Sequence, residues 1–254
     1  MTRITGNSLI ATPCCRSIYS TPKYGSVNFS ASAYWTDGYK EGALMPSGGG
    51  LRKCKCGEFY LLADAIAMGL AADSDTPPAQ FILAADLPDA AQSRSKSIEL
   101  AARREYWRYL NHDYRDLYRA HREEEDKASQ AMWESEWHIA NPDARSWSRK
   151  LIDRISFIKP AAPPQMPNKP FSVPLYQPTQ LQRENMVRLL DLLLEGGNQK
   201  FDADPLELAE LYRQLDQSNE VMNVLQAYTE EGATYKAIGQ MLDAGFTAPV
   251  RYRV

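Results

Sequence analysis

The 254 residues carry 44% hydrophobic and 24% charged side chains, the composition of a folded globular chain long enough for one substantial core or two modest ones. Lys and Arg number 29 against 32 Asp and Glu, a net charge of -3, which excludes a whole-chain positive field that would hold nucleic acid without reading its sequence. The longest apolar run, Leu61 to Ala72, is interrupted by Asp64 and Gly69 and falls short of the roughly 18 residues a membrane helix needs; Met1 to Pro13 lacks a secretory signal pattern, so a cytoplasmic protein without a membrane partner is expected.

All four cysteines lie in the first 56 residues, as the adjacent pair Cys14 and Cys15 and the tight pair Cys54 and Cys56. In a reducing compartment thiols clustered in this way point to metal ligation in preference to disulfides, and Zn²⁺ is the expected ion, one per chain and structural. Lys53 and Lys55 are expected to lower the thiol pKa values, and Gly57 to let the backbone turn beside the ion. The spacings are shorter than the common Cys-x₂-Cys, and neighbouring side chains such as Cys14 and Cys15 tend to diverge. Asp37 is the nearest acidic substitute for a fourth ligand, and the alternative is that the cysteines are small buried core residues. No His lies in the first 111 residues, which argues against a catalytic zinc with its usual His or Glu ligands and open water position.

Tyr24 to Ala33 alternates Tyr, Val and Phe with small residues, and Trp35-Thr36-Asp37-Gly38-Tyr39 sets an Asp-Gly turn between aromatics, the signature of a hairpin. Pro46 to Gly50 reads as a flexible loop, and Phe59 to Leu62 leads into a predicted short helix ending near Gly69 and Leu70. Cys14-Cys15, Trp35-Thr36-Asp37-Gly38, Met45-Pro46, Cys54-x-Cys56-Gly57 and the following aromatic pair together resemble the N-terminal part of a group of poorly characterised bacterial zinc-ribbon-like proteins. The resemblance covers residues 1–70 and, more loosely, the C-terminal third. It implies a zinc-ribbon module followed by a helical, tetratricopeptide-like region. Members of that group commonly carry a Cys-x-x-Cys pair in each half, a pattern this chain shortens twice.

Asp73 to Ser97, rich in Ala, Asp, Ser and Pro, reads as a connector with one packed piece, Phe81 to Ala85. Ile98 to Ala140 has no Pro or Gly and repeats Trp107, Leu110, Tyr114, Leu117 and His121 near helical spacing, which predicts one long helix or a helical hairpin stopped at Asn141-Pro142. Its arginines (Arg103, Arg104, Arg108, Arg115, Arg119 and Arg122) alternate with tyrosines in a way that suits nucleic acid. Interspersed Glu and Asp, including the run Glu123, Glu124, Glu125 and Asp126, read more simply as intrahelical ion pairs. His112, His121 and His138 are too far apart for a His-x₃-His face. Trp133, Trp137 and Trp147 are either core or interface anchors.

Seven of the 16 prolines fall between Pro160 and Pro178, enforcing an extended linker or a wrapping arm. Beyond it Thr179 and Gln182 have capping-box spacing, and Met186, Leu189, Leu190, Leu193 and Leu194 form a helical stripe closed by Gly196-Gly197. Asp204-Pro205 starts a second helix carrying Leu208, Leu211, Tyr212 and Leu215, Ser218 a third, and Thr234 to Leu242 a fourth. One tetratricopeptide-like unit spans Leu208 to Tyr228, without a repeat that would make an array.

The expected architecture is therefore α+β and mostly α: a zinc-ribbon-like module (1–72), a connector (73–97), a long helical segment (98–158), a Pro-rich linker (159–178) and a C-terminal helical bundle (179–254). Nucleotide-binding glycine loops, nucleophile elbows and metalloprotease helices are absent from the sequence. The expected function is a non-catalytic, zinc-stabilised protein-binding module, in the manner of an antitoxin or immunity protein that blocks a toxin with a basic surface. Its candidate contact residues are Trp107, Tyr114, Tyr118, Glu123, Glu124, Glu125, Asp126, Trp133 and Trp137. The alternative is a nucleic-acid-binding regulator using Arg52, Lys53, Lys55 and the Arg/Tyr-rich helix.

Overall fold

The structure, a computed structural model, describes residues 3–26, 31–42, 50–70, 75–141, 172–195, 204–228 and 232–252. Met45-Pro46, Pro142, Trp147, residues 160–171 of the Pro-rich segment and Gly196-Gly197 lie outside the described residues. The chain is α+β, with small antiparallel sheets first and helices after them.

Strand β1 (Arg3–Ala11) is the centre of the first sheet, flanked by β2 (Ile18–Ser26) and β7 (Ile66–Leu70) in the order β2-β1-β7. Ile10 stands opposite Tyr19, and these two residues form a small buried core with Cys54, Tyr60 and Ala79. The Asp37-Gly38 turn joins β3 (Ala33–Trp35) to β4 (Lys40–Glu41), with Gly38 at φ +76°, as the hairpin signal predicts. β3 also pairs antiparallel with β8 (Arg251–Tyr252), through Tyr34–Tyr252 and Trp35–Arg251. β5 (Leu51–Lys53) and β6 (Phe59–Leu61) make a third, two-stranded ladder.

The helix predicted to run to Leu70 does not form. Residues 62–64 make a single 3₁₀ turn, and the chain then extends as β7. The free edge of β1 decides this: Ala11, Ile10, Leu9 and Ser8 take up Ile66, Ala67, Gly69 and Leu70, with a bulge that absorbs Met68. Gly69 sits at φ +103°, outside the helical region, so ladder hydrogen bonds replace the helical bonds that this short segment would otherwise form.

Among its described residues the connector carries one four-residue helix, α1 (Leu87–Ala90), and bridges from Pro78 to Ser20 and from Phe81 to Arg52. Two helices follow: α2 (Lys96–Leu110) and α3 (His112–Ala140). They part at Asn111, whose φ of -84° and ψ of 1° leave the helical region. Asn111 is completely buried. Its amide donates to Asp37 at 3.1 Å and its carbonyl accepts from Tyr176 at 2.9 Å, bonds made with two distant parts of the sequence.

The C-terminal helices are α4 (Gln180–Glu195), α5 (Pro205–Gln214), α6 (Ser218–Ala227) and α7 (Ala233–Asp243). The capping box is reciprocal: the Gln182 N–H donates to Thr179 Oγ1 at 3.2 Å and the Thr179 N–H to Gln182 Oε1 at 2.7 Å. Asp204 caps α5 by accepting from the Leu206 N–H at 3.0 Å. The stripes of α2, α4 and α5 meet in a core of Leu100, Trp107, Met186, Leu189, Leu192, Leu193 and Leu211. A second core joins Ala209, Val221, Leu225 and Ile238 of α5, α6 and α7.

The chain divides into two compact units, Met1–Asp113 with Tyr176–Val254, and Tyr114–Leu175. Within the first, the two ends of the sequence are joined by the β3–β8 pairing and by bonds to a buried ion pair of α5, Glu210 with Arg213 at 2.7 Å. Glu210 also accepts from the Thr36 hydroxyl at 2.7 Å, and Arg213 donates to the carbonyls of Phe246 and Ala248. Within the second, α3 is lined by the short stretch from Ser172. Tyr114 donates to the Pro174 carbonyl at 3.1 Å, and the Ser172 hydroxyl to Glu125 at 2.6 Å.

Candidate metal centre

Two turns build the site. Between β1 and β2 the Thr12 N–H donates to the Ser17 carbonyl at 2.9 Å and the Arg16 N–H returns to the Thr12 carbonyl at 3.0 Å, while Arg16 adopts φ +57°. This reversal presents Cys14 and Cys15. Between β5 and β6 the Cys54 N–H donates to the Glu58 carbonyl at 2.8 Å and the Gly57 N–H to the Cys54 carbonyl at 2.9 Å. Gly57 stands at φ +93°, a conformation that glycine adopts without the clash a Cβ brings.

The turns bring all four sulfurs together. Cys15 Sγ lies 3.4 Å from Cys54 Sγ, Cys14 Sγ 3.5 Å from Cys56 Sγ, and the adjacent pair 4.0 Å from each other. No two of the four are more than 4.8 Å apart, and all are free thiols. Zinc–sulfur bonds of about 2.3 Å place tetrahedral sulfurs roughly 3.8 Å apart, so the cluster has the size such an ion requires. Cys14 and Cys15 do not diverge away from a common centre, because the tight turn redirects the chain between them and Ser17. The four cysteines can hold a metal ion, and their all-sulfur donor set suits a thiophilic one.

Charge sets the four thiols apart from one another. The Cys15 thiol is brought down to about 6, first by its side-chain hydrogen bond with Ser17 at 3.0 Å and then by the Ser17 backbone and Thr12. Burial works to raise Cys54, yet hydrogen bonds from the Cys56 backbone and Thr12 outweigh it and leave that thiol below its ordinary value. The Glu58 backbone pulls Cys56 down, but bonding with Cys14, burial and the other two sulfurs overcome it and push the thiol up to about 12. Four thiols this close cannot all ionise side by side unless a cation sits among them.

The leading causes acting on the Cys15, Cys54 and Cys56 thiols are neighbouring hydroxyls, backbone groups, other sulfurs and burial, not the lysines expected to acidify them. Lys53 Nζ pairs with Asp86 at 2.6 Å, and the largest pull on Cys15 comes from Ser17. Asp37, the expected acidic substitute, is buried and accepts from Asn111 and from the Tyr39 N–H. Thr12, Ser17 and Tyr19 were not anticipated from the sequence. Thr12 lies 3.7 Å from Cys15 Sγ and 3.6 Å from Cys54 Sγ, and the Tyr19 hydroxyl lies 3.8 Å from Cys54 Sγ while accepting from the Lys55 N–H at 2.9 Å. Their signal was the run of hydroxyl-bearing residues within five positions of the first cysteine pair.

The candidate partner residues separate by burial. Trp107 is 2% exposed, in the core beside Met186 and Leu211, with its indole N–H donating to Gln214 at 3.0 Å. It is a packing residue, which corrects its expected place at a contact surface. Tyr114 and Tyr118 are buried as well. Glu123, Glu124 and Asp126 are exposed on α3, and Glu125 is half-buried. Lys127 pairs with Glu123 at 2.6 Å, and Arg122 with Glu125 at 3.0 Å. Trp133 and Trp137 are half-buried one helical turn apart, and Trp137 meets His138 edge-on at 5.1 Å.

The basic residues of the nucleic-acid alternative are largely committed. Arg103 pairs with Glu99, Arg104 with Glu207, Arg108 with Glu105 and Arg119 with Asp116. Arg52 is buried, donates to the Leu51 carbonyl at 2.8 Å and lies 4.1 Å over the Phe81 ring. A cleft of about 630 Å³ opens between the β3–β4 hairpin, α2 and the start of α5. The Arg104–Glu207 pair and the Arg108 side chain line its wall.

No protein-family model, no curated protein and no solved structure matches this chain.

Proposed function

We propose that the chain is a non-catalytic protein-binding module whose β1–β2 and β5–β6 turns are held together by one structural Zn²⁺ on Cys14, Cys15, Cys54 and Cys56, as in zinc-ribbon-like proteins. The observation that carries this reading is the convergence of four free thiols within 4.8 Å across 42 residues of sequence. Four protein sulfurs fill a tetrahedral zinc and leave no position for the water that a catalytic zinc activates. The metal then acts on stability: it ties together two turns whose strands share only a small core.

Binding falls to the second unit. Along α3, exposed Glu123, Glu124 and Asp126 are followed by half-buried Trp133 and Trp137, a combination of acidic and aromatic groups that suits a protein partner with a basic surface. Blocking of a basic toxin, as an antitoxin or immunity protein would do, is the biological form of this proposal. The pairing of the arginines with carboxylates is why nucleic acid is not preferred.

Elemental analysis of the full chain purified without chelator tests the zinc reading. One zinc per chain is expected, and Cys54→Ser should lose it together with thermal stability. A metal-free, fully folded wild-type chain overturns the proposal.

A further inference from the structure

The sulfurs are not equivalent neighbours. Cys15 to Cys54 at 3.4 Å and Cys14 to Cys56 at 3.5 Å both cross between the turns, and both are shorter than the 4.0 Å between the adjacent Cys14 and Cys15. Three of the four (Cys14, Cys15 and Cys56) are exposed, and Cys54 is buried beneath Cys15 with Tyr19 and Ile10 around it. A solvent-borne oxidant therefore reaches a sulfur in each pair, and each exposed sulfur it reaches has a partner thiol from the opposite turn close by.

We propose that the cluster is an oxidation site at which a hydroperoxide such as hydrogen peroxide expels the zinc and closes two specific disulfides, Cys15–Cys54 and Cys14–Cys56. The zinc-release half rests on the structural-zinc reading; the pairing rests on the sulfur geometry alone. In each pair an exposed thiolate attacks the peroxide, an S–O bond forms as the O–O bond breaks, and hydroxide leaves. The partner thiolate then attacks that sulfenic sulfur, the S–S bond forms, and a second hydroxide departs. Two sulfurs lose two electrons and one peroxide gains them. For the full site, four zinc-bound thiolates and two peroxides give two disulfides, four hydroxide ions and free Zn²⁺.

The alternative pairing within each turn is geometrically poor. A bond between adjacent Cys14 and Cys15 closes a very small ring against the backbone, whereas a cross-turn bond needs each pair of sulfurs to close to about 2.0 Å from a distance already short of van der Waals contact. Both cross-turn disulfides tie the same two turns that the metal ties. Oxidation thus exchanges one cross-link for another, and the N-terminal sheets remain anchored while their ion is released.

The test uses the full chain, reduced and zinc-loaded, titrated with hydrogen peroxide in the presence of a chromogenic zinc chelator. Two equivalents of peroxide should release one equivalent of zinc and remove all four free thiols. Peptide mapping should find Cys15–Cys54 and Cys14–Cys56, and dithiothreitol with added zinc should restore the starting state. Disulfides within the pairs, the crossed set Cys14–Cys54 with Cys15–Cys56, intermolecular bonds or sulfinic acids as the main products would each overturn the proposal. The same mapping on metal-free reduced chain separates this outcome from the zinc reading, since it requires the two disulfides even if no zinc was ever bound. Cys54→Ser should leave Cys15 as a sulfenic acid that dimedone traps, and the wild-type map stands whether or not that variant folds.

Discussion

Glu210 shows how much a single residue holds in this chain. Its carboxylate is fully buried and accepts from Arg213 at 2.7 Å, from the Thr36 hydroxyl at 2.7 Å and from the Gln214 amide at 2.6 Å. Arg213 in turn reaches the Ala248 carbonyl at 2.6 Å, and Thr36 accepts from the Val250 N–H at 2.9 Å. Hairpin, helix and C-terminal strand are thereby fastened through one carboxylate. Removing one partner of a buried ion pair leaves the other charge without compensation, at a cost of about 3–5 kcal/mol. Glu210→Ala should lose that much stability in urea unfolding, while an exposed control, Glu220→Ala, should change it by less than about 0.5 kcal/mol. From the sequence, Glu210 reads as one more polar position of an amphipathic helix, because nothing local reveals that Thr36 lies 174 positions away.

Among the elements, α2 and α4 are locked by a charge clamp as well as by their leucines. Glu99 of α2 accepts from Arg103 at 2.9 Å on its own helix and from Arg188 of α4 at 3.0 and 3.1 Å. Burial works to raise the Glu99 pKa, but the bonds from Arg188 and Arg103 outweigh it and hold the carboxyl below its ordinary value. The folded chain therefore binds this proton less readily than the unfolded chain, so the stability it contributes is present above the ordinary carboxylate range and is lost as the pH falls through the depressed folded value. Acid titration of unfolding free energy should show a steeper loss below about pH 4 in the wild type than in Glu99→Gln. Equal slopes would mean that the clamp contributes nothing pH-dependent. The helix starts behaved as local signals should, since the Thr179–Gln182 box and the Asp204 cap each involve residues within three positions of one another. β7 did not, because its pairing with β1 is long-range and overrides the helix that its own composition suggests.

At the scale of the molecule, the proposed structural Zn²⁺ would link metal binding to folding. A ligand bound only by the folded state stabilises it by mass action, about 2.7 kcal/mol at a free concentration one hundred times its dissociation constant. The melting temperature of chelator-stripped chain should therefore climb as Zn²⁺ is added back and stay flat with Mg²⁺, which avoids thiolates. A melting curve indifferent to Zn²⁺ would separate the cysteine cluster from the stability of the chain. The effect should reach beyond the first sheet, because the unit that contains the cysteines also contains both ends of the chain, closed by the pairing of Tyr34 with Tyr252.

Read alone, the sequence determined the α+β class, the Asp37-Gly38 hairpin, the caps and stripes of the C-terminal helices, and the grouping of the cysteines as a possible metal set. Each rests on residues close together in the chain, where periodicity and turn chemistry act directly. Tertiary structure alone decided that Cys14 and Cys15 both face Cys54 and Cys56, that Thr12, Ser17 and Tyr19 surround their sulfurs, and that β7 is a strand. It also decided that Trp107 packs in the core, and that Asn111, buried against Asp37 and Tyr176, divides the segment predicted as one long helix or a helical hairpin into two helices. These outcomes depend on which distant groups share a buried space, and a polar or aromatic side chain takes its role from the partner it finds there.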